Sequence, residues 1–525
     1  MTGRNKLSTR IAGGFKPQNP SLPDYVYLHG RWQADRPALV VEKHTVTWRD
    51  FDRRTTQVAN GLKAMDLGPG DAVAVVMSNG REMAEALFGI MKAGCCSVPI
   101  NLSVTDEAMA RMLNDSMARA VFATGDQASR LEAIADDLDT DLRNTAICNG
   151  ASRVGWAPFD DWVETQATTP PDVDIPPDAP CNVIYSSGTT GLPKGILHSF
   201  QGRLDWAYDV ATAYRFRPGA RALCTIGLYS NIMWALMLAT LLGGGALHIH
   251  TAFDAQAALA DIRRHALSHT AMVPVQWQRL VEAGADADSL ASMRSAITVG
   301  APMHETLKRK LAGMMPEAFL ELYGLTEGIL TVLAPEDVTA RMGSVGKPVQ
   351  GCDIRILNTR DEDCAPGHAG EIVSRARYVM PGYLNRPDAT AESIWTDASG
   401  RQWLRTGDIG RLDEDGFLYI VDRKKDMILS GGQNIFPADI EDVVLRHADV
   451  ADGCVIGLPH PEWGETPVAV IVLRRAATTT ADAIRDWVND QVGKRQRLSR
   501  VILADDLPRN PNGKILKRDL RDAYS

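Results

Sequence analysis

Short apolar runs and amphipathic helices take turns along the first third of the chain. Ala72–Met77 predicts a strand, and Arg81–Gly94 predicts a helix with Met83, Leu87, Ile90 and Met91 on one face. Cys95–Ile100 predicts a second strand, Thr105–Ser116 a second helix, and Ala120–Ala123 a third strand. Buried strands separated by helices join through crossovers, and the resulting parallel sheet is covered on both faces. The pattern therefore predicts an α/β chain built on doubly wound sheets. It resumes over 196–300, with strands at Ala246–Ile249, Thr270–Val273 and Ala296–Val299 and a helix over Asp254–His265. From 343 to 421 it gives way to short strands and turns (Asp353–Leu357, Gly370–Val373, Phe417–Val421), predicting a β subdomain.

A dense charge run, Asp422-Arg423-Lys424-Lys425-Asp426, follows the last of these strands. Beyond it Ile440, Val443 and Val444 share one helix face. Cys454–Gly457 and Val468–Leu473 read as strands, and Ile484, Trp487, Val488 and Val492 mark another amphipathic helix. This predicts a small α+β unit after a much larger body. At roughly 150 residues per domain, the length of 525 residues allows three to four domains. Pro170–Pro180 reads as a linker.

Two features test the assumption of a water-soluble chain. Ala222–Phe253 carries no Asp, Glu, Lys or Arg. Ser230, Asn231 and Thr240 interrupt it and Gly243-Gly244-Gly245 breaks it, so it reads as a buried helix feeding a buried strand. The basic N-terminus, Met1 to Lys16, has no apolar core, which predicts no secretory leader. The eight cysteines form no CxxC pair and are expected to be free, mostly buried thiols in a reducing, cytoplasmic setting. A net charge of −9 offers no basic excess for a nucleic-acid backbone, so no nucleic-acid partner is expected. His248 with His250, and His265 with His269, have metal-like spacing but no third ligand, and structural histidines are expected there.

The strongest chemical signal is Tyr185-Ser-Ser-Gly-Thr-Thr-Gly-Leu-Pro-Lys-Gly195, which follows a strand-like run, Asn182-Val183-Ile184. Its glycines let backbone approach a ligand, Ser186, Ser187, Thr189 and Thr190 supply hydroxyls, and Lys194 supplies charge. Such a loop presents N–H groups to an anion, most simply a polyphosphate. It lacks the G-x-x-x-x-G-K-[ST] spacing of a Walker A loop.

This run resembles the phosphate loop of the adenylate-forming superfamily, which comprises acyl- and aryl-CoA ligases, luciferases and nonribosomal adenylation domains. Further segments are similar to that family's motifs and occur in its order. Val299-Gly-Ala-Pro302 resembles the adenine wall, followed by Tyr323-Gly-Leu-Thr-Glu327. Thr406-Gly-Asp408 resembles the ribose motif, and the 422–426 charge run resembles the interdomain hinge. Ser430-Gly-Gly-Gln-Asn434, Pro437-Ala-Asp-Ile-Glu441 and Pro508-Arg-Asn-Pro-Asn-Gly-Lys514 resemble segments of the mobile C-terminal domain. The resemblance covers nearly the whole chain after about residue 35. It implies an N-terminal AMP-binding domain over 1–422, a hinge over 423–426 and a small mobile C-terminal domain over 427–525.

The resemblance also assigns roles, and each has a physical basis. Ser186, Ser187, Gly188, Thr189, Thr190, Gly191 and Lys194 would cradle the phosphates of ATP. Gly300, Ala301 and Pro302 would wall the adenine, on which Tyr323 would stack beside Gly324. Glu321 is expected to reach the adenine amino group. Thr326 would donate to a phosphate oxygen, and Glu327, with Thr189, would ligate Mg²⁺. Asp408 would accept from both ribose hydroxyls, with Arg423 donating to the same sugar. Lys514 would be the adenylation lysine, stabilising charge on the α-phosphate. Lys425 would be the pivot, and Gly431 and Gly432 would line the path of CoA.

The acid pocket is expected to be lined by Tyr229, Ser230, Trp234, Val299 and Leu325, together with Gly300 and Gly324. Many CoA ligases carry an aromatic–His pair at Tyr229-Ser230, so Ser230 replaces the His. Amino-acid-selecting relatives usually place an Asp there, and its absence argues against an amino-acid substrate. The implied activity is a carboxylic acid–CoA ligase that forms an acyl-adenylate and then a thioester, with ATP, Mg²⁺ and CoA, on a fatty or aromatic acid. A stand-alone ligase that loads a carrier protein is the alternative, and a homodimer is left open.

Overall fold

The computed structural model describes residues 20–139, 146–149, 156–186, 193–430, 433–475, 477–494, 496–509 and 515–525. Among these the predicted alternation forms two large sheets. One has eight strands, with Cys96–Pro99, Ala72–Val76, Ala120–Thr124 and Ala146–Asn149 parallel at its centre. At one side Pro180–Ser186 joins Cys96–Pro99 in parallel and then pairs antiparallel with Lys194–Ser199, which in turn pairs with Gly382–Tyr383. The other has nine strands. Its parallel centre includes Ser295–Thr298, His269–Met272, Arg221–Cys224, Ala246–Ile249 and Pro37–Val41.

The helix Asn231–Gly243 is apolar nearly all round, as a helix enclosed on every side tends to be. Arg81–Lys92 buries Met83, Leu87, Ile90 and Met91 as expected, and its other faces as well. The stretch without charges resolves into the strand Arg221–Cys224, the buried helix Asn231–Gly243 and the strand Ala246–Ile249. Among the described residues no helix is long and apolar enough to cross a membrane. All eight cysteines are free, six of them buried.

One buried ion network ties three helices of this body. Arg54, on the helix Trp48–Ala64, donates from Nε to Glu85 Oε2 at 2.7 Å and from Nη2 to Asp160 Oδ1 at 2.5 Å. Arg81 Nη2 reaches the same Asp160 at 2.9 Å. Glu85 is fully buried, and burial pushes its carboxyl up to about 7 against the pull of both arginines.

The predicted β subdomain is a five-stranded antiparallel sheet that includes Cys352–Leu357, Gly370–Ala376, Gln402–Leu412 and Leu418–Arg423. The last strand runs further than the sequence suggests. Asp422 and Arg423 belong to it rather than to a charged linker, because Arg423 pairs in register with Asp408. The third sheet thus reaches one residue past the expected boundary at 422. A fourth sheet then starts at Ile428–Ser430 and is dominated by the hairpin Val450–His460 and Gly464–Leu473. Ile440, Val443, Val444, Ile484 and Val488 pack into one core behind it.

Side chains of the intervening segment hold both sides. Asp422 Oδ2 accepts from the N–H of Ala438, in the first turn of the helix Pro437–Val444, at 3.1 Å. Asp426 Oδ1 accepts from Arg521 Nη2 at 2.7 Å. Lys424 Nζ instead donates to Glu371 of the third sheet at 3.0 Å.

Candidate active site

Sheet register brings the Gly-rich run and the distant motifs together. Ser186 and Lys194 stand opposite each other at the mouth of the antiparallel hairpin Pro180–Ser186 and Lys194–Ser199. Ser187, Gly188, Thr189, Thr190 and Gly191, between them, lie outside the described residues, as do Gly431, Gly432 and Lys514. Arg509 and Ile515, which bracket the last of these, pair antiparallel.

Lys194 Nζ sits 4.9 Å from the ring centroid of Tyr383. The Tyr383 hydroxyl donates to Glu327 Oε1 at 3.0 Å, and the Glu327 carbonyl accepts from Met380 N at 2.8 Å. Glu327, with Thr326, occupies the turn between the antiparallel strands Phe319–Leu325 and Ile329–Leu333. Burial raises its carboxyl, while its own backbone N–H, Tyr383 and Arg423 oppose the rise. A half-buried carboxylate with one phenol partner is a hard oxygen donor, and it fits a divalent cation of the Mg²⁺ type. Tyr383 gives no signal in the sequence. It lies in a turn-rich stretch, Met380-Pro-Gly-Tyr383, and reaches the site through a two-residue strand.

A second cluster joins Tyr323, Asp408 and Arg423. Tyr323 donates to Asp408 Oδ2 at 2.6 Å, and Arg423 Nε lies 2.6 Å from Asp408 Oδ1. Asp408 is buried, whereas 32% of the Arg423 side chain stays exposed. The backbone N–H of Asp408 is held by Thr406 Oγ1 at 3.1 Å, and that hydroxyl donates to Ile372 O at 2.8 Å. Each carboxylate oxygen accepts more than one hydrogen bond, so Asp408 retains capacity for further hydroxyls. The Tyr323 ring is fixed in place by its hydroxyl. Next to it, a Cβ on Gly324 would fall 2.6 Å from Ile329 O, so no larger residue fits there.

Glu321 departs from expectation. Lys308 pairs with its carboxylate inside the core, and Lys308 Nζ also donates to Ser344 O at 3.4 Å. A carboxylate neutralised by a buried lysine is not presented to an adenine, so that assignment is withdrawn.

The expected acid pocket is brought together in part. Gly300 follows the strand Ser295–Thr298 with φ of +93°, a left-handed conformation natural to glycine. A Cβ there would lie 3.3 Å from Val273 and 3.4 Å from Ile232, so the 299–302 segment abuts the start of the helix Asn231–Gly243. Val299 is buried against this core. Ser230 caps the same helix, its Oγ accepting from Ile232 N at 3.3 Å. That explains a serine where a histidine was expected, since Ser is among the best N-caps. Trp234 corrects the sequence reading: it is fully buried beneath Arg203, whose guanidinium carbon is 5.3 Å from its ring, and it lines no open surface. Tyr229 is half-buried at the edge of this core, while Leu325 packs with Tyr323 on the apolar cluster of the third sheet.

Comparison with known proteins identifies the family. The AMP-binding enzyme family matches residues 29–384, and the AMP-binding enzyme C-terminal domain matches residues 439–514. The chain is 32% identical over 511 residues to a feruloyl-CoA synthase of an Amycolatopsis species, spanning 94% of this chain and 99% of that one. It is 31% identical over 520 residues to the fatty acid–[acyl-carrier-protein] ligase ScoC of Streptomyces coeruleorubidus, spanning 97% of each. Among solved structures, o-succinylbenzoate CoA synthetase from Bacillus subtilis, in complex with its acyl-adenylate intermediate, matches with a TM-score of 0.83. That match has 27% identity and covers 96% of this chain and 99% of the other. The chain belongs to the adenylate-forming superfamily of AMP-binding enzymes, within its acyl- and aryl-CoA ligase families.

Proposed function

We propose that the protein is an ATP-dependent carboxylic acid–CoA ligase, acting on a fatty or aromatic acid. The observation that carries this reading is the convergence of Lys194, Tyr383 and Glu327 beside Tyr323, Asp408 and Arg423, from five separate stretches of chain. One set suits a polyphosphate and the other a ribose.

In the first half-reaction the acid carboxylate attacks the α-phosphorus of ATP, the bond to the β-phosphate oxygen breaks, and pyrophosphate leaves. Lys194, Thr326 and the hydroxyls of the Gly-rich loop orient the phosphates, and Asp408 with Arg423 holds the ribose. Glu327 and Thr189 would hold Mg²⁺, which when bound neutralises phosphate charge. Lys514 places an ammonium where charge develops on the α-phosphate. In the second half-reaction the C-terminal domain turns about Lys425 and withdraws Lys514. The CoA thiol, led past Gly431 and Gly432, then loses its proton and attacks the acyl carbon. The anhydride bond to AMP breaks, giving a thioester. The setting proposed for this activity is cytoplasmic fatty- or aromatic-acid metabolism.

Pyrophosphate release with ATP and Mg²⁺, measured across fatty and aromatic acids with and without CoA, tests this. The expected result is a CoA-stimulated signal on one acid class. Malonate activated better than every apolar acid would overturn the substrate class. A second reading, loading of a carrier protein, is favoured by the kinship with the carrier-protein ligase ScoC. Release indifferent to CoA but stimulated by a phosphopantetheinylated carrier would establish it. Lys514→Ala should lose adenylation by about 100-fold or more yet still convert supplied acyl-AMP and CoA to thioester. Normal adenylation by that variant would remove Lys514 from the mechanism.

A further inference from the structure

The helix Phe200–Ala213 carries a buried arginine, Arg203, that the proposed mechanism leaves unused. Only 1% of it is exposed. Its Nε donates to Asn182 Oδ1 at 2.8 Å, and its Nη1 donates to Asn231 Oδ1 at 2.8 Å. The guanidinium carbon lies 4.7 Å from the ring of Trp206 and 5.3 Å from that of Trp234. No carboxylate among the described residues pairs with it, and burial pushes the guanidinium down to about 9. Four buried nitrogens around it have no hydrogen-bond partner there: Arg203 Nη2, Asn182 Nδ2, Trp234 Nε1 and His198 Nε2. His198 stands opposite Asn182 in the hairpin register.

Apolar side chains of similar volume would fill this space at lower free energy than an uncompensated charge. Such a departure from core composition is found where an arrangement is needed for its own sake. The partners of Arg203 identify the arrangement. Asn182 lies in the strand Pro180–Ser186, which leads into the Gly-rich loop. Asn231 is the first residue of the helix Asn231–Gly243, directly after Ser230.

We propose that Arg203 is a positioning residue, a buried clamp that fixes the acid-pocket helix to the strand of the phosphate loop. It thereby holds the acid carboxylate in line with the α-phosphate. The clamp rests on the pocket and loop assigned under the proposed function. The chemistry suits the task. A guanidinium is a planar fork whose donors leave in fixed directions, so one side chain can set the angle between two elements. A lysine ammonium has freely turning donors at one point and cannot reproduce that angle.

The test uses the full chain and the best substrate among ferulate, 2-succinylbenzoate and dodecanoate. KM for the acid and for ATP are measured separately by pyrophosphate release. Arg203→Met is expected to raise both KM values by about ten-fold or more. Arg203→Lys is expected to recover neither. Asn231→Ala should raise the acid KM alone, and Asn182→Ala the ATP KM alone. A folded Arg203→Met protein with both KM values within about two-fold of the parent, whatever its thermal stability, overturns the clamp. If Arg203→Met fails to fold, the two asparagine variants decide, and KM values that stay unchanged or move in the opposite pairing overturn it. A parent protein that releases no pyrophosphate with any acid refutes the functional reading instead. Calorimetric titration with ATP then decides the clamp: weaker binding by about five-fold in Arg203→Met or Asn182→Ala supports it, and equal binding refutes it.

Discussion

The molecule uses the same ion pair twice, and to opposite ends. Between helices, Arg54 meets Glu85 and Asp160, with Arg54 and Glu85 both withdrawn from water and their charges shared among several partners. At the site, Arg423 meets Asp408, but only the carboxylate is withdrawn, and the arginine keeps a third of its surface open. An ion pair enclosed on both sides fixes the fold and can take no ligand. One enclosed on a single side presents an oriented charge that costs little to reorganise on binding. Breaking the first should damage stability and spare chemistry, while breaking the second should do the reverse.

The largest effect is expected from Arg54→Met, which removes the two hydrogen bonds to Glu85 and Asp160 and leaves buried Glu85 with only Arg81, 3.8 Å away. It should cost about 3–5 kcal/mol of stability in urea unfolding, with the KM for ATP unchanged in the protein that remains folded. A loss of ATP affinity without loss of stability would erase the distinction. Next comes Asp408→Asn, which keeps the shape and one acceptor but removes the charge. Pyrophosphate release should fall about 100-fold, near 2.7 kcal/mol, with the urea midpoint close to the parent's. A stability loss as large as that of Arg54→Met would show the two pairs to be equivalent.

The smallest effect sharpens the comparison through pH. Burial raises Glu85 from the usual 4.5 to about 7 in the fold. A raised carboxyl binds its proton more tightly in the folded state. The stability it contributes is complete below pH 4.5 and is lost as pH rises through 7. Glu85→Gln should therefore flatten the decline in stability between those two pH values. An unchanged slope would mean that Arg54 and Arg81 keep the Glu85 carboxyl in its ordinary range.

The sequence displayed what depends on local pattern. Alternating runs marked the strands and helices of both large sheets, and clustered glycines and hydroxyls marked the run proposed to cradle phosphate. It concealed what depends on register between distant strands. Tyr383 meets Glu327 across 56 residues and Tyr323 meets Asp408 across 85, and no periodicity encodes either meeting. Lys308 takes Glu321 out of the site for the same reason, since their pairing is set by how a helix lies on a sheet. Trp234 misled because an apolar helix that starts at a pocket continues into a core. Ser230 was conspicuous as a missing histidine, and its own chemistry, capping a helix, was the local signal to follow.

The short stretch between the third and fourth sheets has a consequence for how its length is constrained. Asp422 and Asp426 grip the C-terminal unit through Ala438 and Arg521, while Arg423 and Lys424 grip the larger body through Asp408 and Glu371. Each grip depends on its place in the count of residues. One residue inserted after Asp422 would carry Arg423 out of register with Asp408, and one deleted would draw Asp426 away from Arg521. The segment therefore tolerates exchange of its charges one at a time more readily than any change in their number, like a key whose teeth matter less for their depth than for their spacing.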